Sequence, residues 1–249
     1  MIDTLILCGG RGLRLRPMTD ELPKALVSLN GKPILQHLIE AYIQKGVHRF
    51  VLCIGYQGER IREFISSHPF DAEFEFSEAG ENASMLQRLY HARSSITDRA
   101  FVAYGDTLID MDLEAMLNDH RSSAAWLTMT VADVKSPFGL VTADEDGWVQ
   151  SFREKPIQSY FVGHMLLERT VLDGLESELL DLGDGQGLVK LFDRLIDQKC
   201  LRLYSYNGPQ ITFNTSQELD QAERDLITFF TQREETHGTA GEASPSHRG

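Results

Sequence analysis

Apolar residues along the chain switch between short unbroken runs and stripes at helical spacing, and that switching predicts most of the architecture. Residues 5–8, 50–54 and 101–104 are continuous apolar runs, as expected of strands buried on both faces. Between the first two, Ile34, Leu35, Leu38, Ile39, Tyr42 and Ile43 recur at the spacing of one helix face. Pro33 suits the first turn of that helix and Gly46 its end. Ile61, Phe64 and Ile65 mark a second helix, and Met85, Leu86, Leu89 and Tyr90 a third. Residues 25–29 read as a short strand closed by Asn30-Gly31, and residues 73–76 alternate like a strand with one wet face. Strand–helix alternation predicts a largely parallel sheet with helices on its faces.

Beyond about residue 115 the pattern changes. Residues 126–131, 140–142, 148–152 and 160–167 read as strands, with Asp146-Gly147 as a hairpin turn. Leu188, Leu191, Phe192, Leu195 and Ile196 form a helical stripe, 201–206 a further strand and 219–230 a closing helix. From Arg233 the residues are small and polar, which predicts a disordered tail over 233–249. The expectation is one α/β domain over 1–232, divided at about 115 into two halves, with no internal repeat.

Composition narrows the partners. The chain has 249 residues, 42% of them hydrophobic, enough for a sizeable core. A formal net charge of -13 argues against nucleic acid and against an anionic membrane surface. Cys8, Cys53 and Cys200 are odd in number and lack C-x-x-C spacing, which predicts buried thiols in a reducing compartment. No run reaches membrane-spanning length, and Asp3 interrupts the apolar start, against a signal peptide. A cytoplasmic location is expected. The sequence leaves the oligomeric state open, a homo-oligomer included.

Against this acidic background one stretch is basic. The first apolar run empties into Gly9, Gly10 and Gly12, then Arg11, Arg14, Arg16 and Lys24. Between residues 9 and 32 there are five Lys or Arg against two acids, so an anionic ligand would be met here. Glycines let backbone N–H groups approach a ligand, and guanidinium forks suit phosphate. The bland alternative is a turn after a strand. A dinucleotide fingerprint fails for want of a third glycine, and the Walker pattern for want of Gly-Lys-Ser/Thr. At the end of a later apolar run, Gly105-Asp106 sets a carboxylate at the strand edge where ligands of open α/β sheets collect. Such an acid either holds a metal or caps a following helix. No histidine pair has metal spacing and no serine sits in a nucleophile elbow.

Gly9, Gly10, Gly12, Arg14, Leu15, Pro17, Thr19, Pro23 and Lys24 fill G-G-x-G-x-R-L-x-P-x-T followed by P-K. This resembles the signature of the sugar-1-phosphate nucleotidyltransferases, the nucleoside-diphosphate-sugar pyrophosphorylases. The resemblance runs from about residue 2 to about residue 228. It implies a Rossmann-like, mixed and mostly parallel sheet with helices on both faces, the nucleotide-diphospho-sugar transferase fold. A nucleotide-binding half (about 1–115) would precede a sugar-phosphate-binding half (116–232). It implies that a nucleoside triphosphate and a phosphorylated small molecule, a sugar 1-phosphate, give an NDP-sugar and pyrophosphate with Mg²⁺.

By the same resemblance Cys8, Gly9, Gly10, Arg11, Gly12, Lys24, Gly80 and Gly105 would bind the nucleotide. Arg14, Lys24, Asp106 and Lys155 would carry catalysis, and Gly139, Glu154, Lys155, Phe161 and Gly163 would bind the acceptor. Asp106 would hold the metal with Asn214, which stands where the family usually has an acid and could equally cap the last helix. Two departures bear on specificity. Phe161 stands where an asparagine often faces the sugar, and the base-side segment around Gly80 has lost its usual glycines. Gly31-Lys32-Pro33-Ile34-Leu35 with His37, Cys53-Ile54-Gly55-Tyr56-Gln57-Gly58-Glu59, and Tyr104-Gly105-Asp106 with Asp110-Met111-Asp112-Leu113 look like glucose-1-phosphate cytidylyltransferases, which makes CTP the expected donor. The alternatives are transfer to a non-sugar phosphate, such as a polyol phosphate or phosphonate, and a non-catalytic regulatory homologue.

Overall fold

A computed structural model describes residues 2–183 and 185–238. The first strand, β1 (Asp3–Leu7), lies mid-sheet, and its alternate residues feed two cores: Ile6 packs on one side and Leu5 on the other, both fully buried. After the glycine loop come the short pair β2 (Ser28–Leu29) and β3 (Lys32–Pro33), then α1 (Ile34–Ile43), β4 (Arg49–Ile54), α2 (Gly58–Ser67), β5 (Glu73–Glu78), α3 (Met85–Ala92) and β6 (Arg99–Tyr104). The strand predicted at 25–29 is shorter: Ser28–Leu29 form β2, while Ala25 and Leu26 belong to a 3-10 turn, Lys24–Leu26. A capping box starts α3: Gln87 N–H donates to Ser84 Oγ at 3.3 Å, and Ser84 N–H to Gln87 Oε1 at 2.7 Å.

The second half adds β7 (Thr107–Ile109), α4 (Leu113–Arg121), β8 (Leu127–Lys135), β9 (Leu140–Ala143), β10 (Val149–Arg153) and β11 (Ile157–Glu168). It closes with α5 (Arg169–Asp173), α6 (Ser177–Leu180), α7 (Gln186–Asp197), β12 (Leu201–Ser205), β13 (Gln210–Thr212) and α8 (Ser216–Gly238). Apolar spacing does not predict α4. Asp112 caps it, its side chain accepting from Ala115 N–H at 2.9 Å. Helix α8 continues to Gly238, past the point where composition predicts a tail, and 239–249 lie outside the described residues.

The seven-stranded sheet runs β12-β8-β11-β6-β1-β4-β5. β11 is antiparallel to both neighbours, and every other adjacent pair is parallel, so the sheet is mixed and mostly parallel as expected. Helices α1, α2 and α8 cover one face, and α3, α5, α6 and α7 the other. β9 and β10 form a separate antiparallel ribbon. β13 pairs antiparallel with β7, matching Thr212 to Thr107, and this carries the chain after β13 back to the carboxyl ends of β1 and β6. Tyr206 secures the return: its hydroxyl donates to Pro209 O at 2.6 Å and accepts from Asp110 N–H at 2.9 Å. Among the described residues, no helix is long and apolar enough to cross a membrane. Cys8 and Cys53 are buried free thiols, and Cys200 is partly exposed.

Candidate active site

The glycine loop leaves β1 at the edge where β6 also ends. Gly105 seals the two strands together: its N–H donates to Leu7 O at 3.0 Å, and a Cβ there would lie 3.0 Å from that oxygen. Gly12 is left-handed (φ 59°), and a Cβ on it would press on Lys24 Cβ at 3.0 Å and Thr19 Cγ2 at 3.1 Å. Its carbonyl accepts from Thr19 Oγ1 at 2.9 Å and Leu15 N–H at 2.9 Å, which folds the loop back on itself. Gly10 faces open space. The loop borders a cleft of about 770 Å³, lined also by Lys24, Ala83, Met85, Tyr104, Asp106, Thr212 and Asn214.

The charged residues meet across this cleft. Lys24 Nζ is in direct contact with Asp106 Oδ2 and 3.2 Å from Asn214 Oδ1, to which Arg14 Nη2 also donates at 2.8 Å. Two cations, one carboxylate and one amide oxygen therefore converge from three distant segments. Asn214 does not cap α8. Thr215 Oγ1 accepts from Glu218 N–H at 3.2 Å, while Asn214 N–H donates to Glu218 Oε2 at 2.7 Å. The amide side chain is thereby free to face the cleft. Asp106 likewise caps no helix.

Arg11 ties the loop to the base-side segment, donating to Glu81 Oε2 at 2.9 Å and Asn82 Oδ1 at 3.2 Å, with its guanidinium 5.3 Å from the Tyr56 ring centre. Gly80 beside them is left-handed (φ 99°). Arg88, which in sequence only echoes a base-binding segment, is a buried strut. Its guanidinium donates to Ile54 O at 2.6 Å and to Gly9 O and Glu81 O, both at 3.1 Å, so one side chain joins three loops. Burial pushes the Cys8 thiol well above its usual range, which makes it packing rather than chemistry.

The expected acceptor residues stand outside the cleft lining. Gly163 (φ 77°) backs it: a Cβ there would lie 2.9 Å from the Tyr104 ring. Phe161 is wedged edge-on between Tyr104 and Phe192, with ring centres 5.8 Å from each. Gly139, Glu154 and Lys155 adjoin the β9–β10 ribbon, where Phe152 covers Gly139 and Lys155 Nζ lies 3.9 Å from Glu154 Oε1. Tyr104, Thr107 and Thr212 also border the cleft; apolar patterning marks Tyr104 only as a strand residue and gives no sign of the two threonines. Behind it, His164 is fully buried. Its Nδ1 contacts Val162 O at 3.2 Å, its Nε2 has no hydrogen-bond partner among the described residues, and burial lowers its pKa to about 4.

Asp106 and Asn214 offer two hard oxygens with a lysine ammonium already seated against both, so the pocket they form accepts positive charge. A carboxylate and a neutral amide oxygen, with room left for phosphate and water, fit a small divalent cation.

A glycine loop at the carboxyl edge of a mixed open sheet, faced by convergent cations, defines an α/β protein with a basic cleft at its strand ends. Residues 3–184 match the nucleotidyl transferase family, and the chain belongs to it. A Bacillus subtilis protein named "Probable glucose-1-phosphate cytidylyltransferase" is 31% identical over 201 residues, covering 71% of this chain and 79% of that protein. The mannose-1-phosphate guanylyltransferase catalytic subunit beta of Drosophila pseudoobscura pseudoobscura is 33% identical over 159 residues, 61% of this chain and 43% of that one. In fold, the chain is similar to the crystal structure of HddC from Yersinia pseudotuberculosis complexed with GMP-PN. Their TM-score is 0.69 at 22% identity, over 91% of this chain and all of the other.

Proposed function

We propose that the protein transfers a nucleotidyl group from a nucleoside triphosphate, CTP first, to the phosphate of a sugar 1-phosphate, releasing pyrophosphate. The observation that carries this reading is the meeting of Arg14, Lys24, Asp106 and Asn214 at the mouth of the glycine loop. The loop backbone around Gly10 would wrap the triphosphate, with Arg14 and Lys24 neutralising the charge that builds on the departing pyrophosphate. An acceptor phosphate oxygen is already a nucleophile, so the site needs alignment and charge neutralisation rather than a base. Asp106 and Asn214 would hold Mg²⁺, which when bound supplies charge stabilisation to the phosphoryl oxygens. Lys155 and Glu154 would meet the acceptor from the ribbon side. CTP is favoured by the cytidylyltransferase-like stretches at residues 31–37, 53–59, 104–106 and 110–113. The guanylyltransferase likeness makes GTP the next donor to try.

One observation favours a second acceptor class. Phe161 presents a ring packed between two others, where a sugar hydroxyl would need an amide, so a non-sugar phosphate stays in the same panel. The test is a pyrophosphate-release screen of the four common nucleoside triphosphates, with Mg²⁺, against sugar 1-phosphates, polyol phosphates and phosphonates. Release with one pair well above the others supports the reading. No release with any pair overturns it and leaves a nucleotide-binding homologue without turnover.

A further inference from the structure

Both oxygens of Asp106 and the side-chain oxygen of Asn214 are already taken by donors of the chain itself. Asp106 Oδ2 is in contact with Lys24 Nζ, and Asp106 Oδ1 accepts from Thr107 Oγ1 at 3.3 Å. Asn214 Oδ1 accepts from Lys24 Nζ at 3.2 Å and from Arg14 Nη2 at 2.8 Å, which uses both lone pairs of an amide oxygen. The ammonium is packed into this position. The Lys24 side chain is 12% exposed, its Cβ fits beneath the bare backbone of Gly12, and its Nζ lies 5.5 Å from the Phe213 ring centre.

Charge around the cluster has the opposite sign to the chain. Arg11, Arg14, Lys24 and Arg88 line the cleft against Asp106 and Glu81, although the chain as a whole carries -13. Among the described residues, no three His, Cys, Asp or Glu side chains gather as metal ligands. A divalent cation arriving alone therefore meets a surplus of like charge and an ammonium seated where its own charge would have to go. A triphosphate reverses that balance, because it brings negative charge and offers Lys24 and Arg14 other oxygens to bind.

We propose that Lys24 is a resident counter-ion of the Asp106–Asn214 pocket, excluding a bare divalent cation until a triphosphate draws the ammonium away. Metal and ammonium compete for the same two oxygens, so the metal enters with the phosphates and not ahead of them. This rests on the proposed function only in naming the triphosphate; the competition is a property of the protein alone.

Binding of Mn²⁺, a paramagnetic stand-in for Mg²⁺, tests the competition without turnover, through the loss of its free-ion resonance signal. Lys24→Met keeps most of the stem and removes the charge. Even screened as in water, one positive charge about 4 Å away costs a divalent ion roughly 30-fold in affinity. The variant should therefore bind Mn²⁺ ~30-fold more tightly than wild type, or better. Adding Asp106→Asn to Lys24→Met should abolish the gain. Lys24→Gln should behave as Lys24→Met does, and serves if the methionine variant is unstable. Mn²⁺ presented as its complex with inorganic tripolyphosphate should respond with the opposite sign, binding Lys24→Met about 10-fold more weakly than wild type. Damage to packing would weaken both probes, so the inversion of sign is the signature. Bare Mn²⁺ binding no better to either Lys24 variant than to wild type overturns the proposal, as does a gain that survives Asp106→Asn. A gain for bare Mn²⁺ with no binding of the tripolyphosphate complex keeps the competition and overturns the triphosphate reading of the cleft.

Discussion

A side chain on Gly55 would occupy the space that the Arg88 guanidinium fills: its Cβ would sit 2.2 Å from Nη1. Gly9 stands in the same relation, at 2.3 Å. The glycines and the arginine are one device, in which bare backbone lets a buried cation reach the carbonyls of three loops. Gly55→Ala should therefore destabilise by about 1–3 kcal/mol through overpacking. Arg88→Ala should cost a similar amount by leaving buried carbonyls without a donor. Because the second change empties the space the first needs, the double variant should cost less than the sum by at least about 1 kcal/mol. Urea unfolding of the four proteins gives the answer, and strict additivity would refute the shared-space account.

Lys24 lies between Asp106 and Asn214 with little solvent around it. Replacing it with Ala removes the cation the cleft is built around. Turnover should fall by about 10²–10³-fold, in line with the loss of a preorganised charge-stabilising donor. The fold should persist, since neither partner is fully buried. Steady-state pyrophosphate release, with circular dichroism as the folding control, checks both; unchanged kinetics would remove Lys24 from the reaction.

The two oxygens of the cleft should differ in weight. Asp106→Ala removes the only carboxylate in the cluster, and metal stabilisation of phosphoryl charge is worth several kcal/mol. At ~1.4 kcal/mol per decade, the loss should be roughly 10³-fold or more, with little recovery at raised Mg²⁺. Asn214→Ala should cost less, because water replaces a neutral ligand, and Asn214→Asp should keep substantial activity. Excess EDTA should silence the wild type. Activity surviving EDTA, or an Asp106→Ala enzyme at full rate, would show that no metal acts here.

His164 should make stability depend on pH. Its folded pKa is depressed from 6.5 to about 4 by burial, with the Val162 carbonyl and the Asp106 charge opposing. Above pH 6.5 the ring is neutral whether the chain is folded or not. Between 6.5 and about 4 only the unfolded chain takes up the proton, so stability is present above 6.5 and is lost as pH falls through that window. The loss attributable to this ring is roughly 3 kcal/mol. His164→Gln should flatten the profile of unfolding free energy between pH 7 and 4 relative to wild type. Two parallel profiles would exclude the ring as the cause.

Period and punctuation made much of the fold legible. Two-sided apolar runs announce β1, β4 and β6 because a central strand buries both faces, and one-sided stripes announce α1, α3 and α7. The glycine loop was legible too, since three glycines within four residues cannot continue a buried strand and leave a loop at its end. Helix α4 was not, because its order comes from the Asp112 cap more than from an apolar stripe. Nor was the role of Arg88, whose sequence neighbours give no sign of its partners 34 and 79 positions away.

The sequence by itself determined that this is a mostly parallel α/β chain with a basic, glycine-rich loop after its first strand. That information is local, carried by side-chain period and by residues with special backbone freedom. Only the tertiary structure decided what surrounds the loop. Asn214 could have capped a helix as easily as faced the cleft. The choice is made by the β7–β13 pairing, which brings it beside Asp106 and Lys24, and by Thr215, which takes the cap instead. Contacts between residues far apart in sequence depend on how elements stack, and no local pattern encodes that.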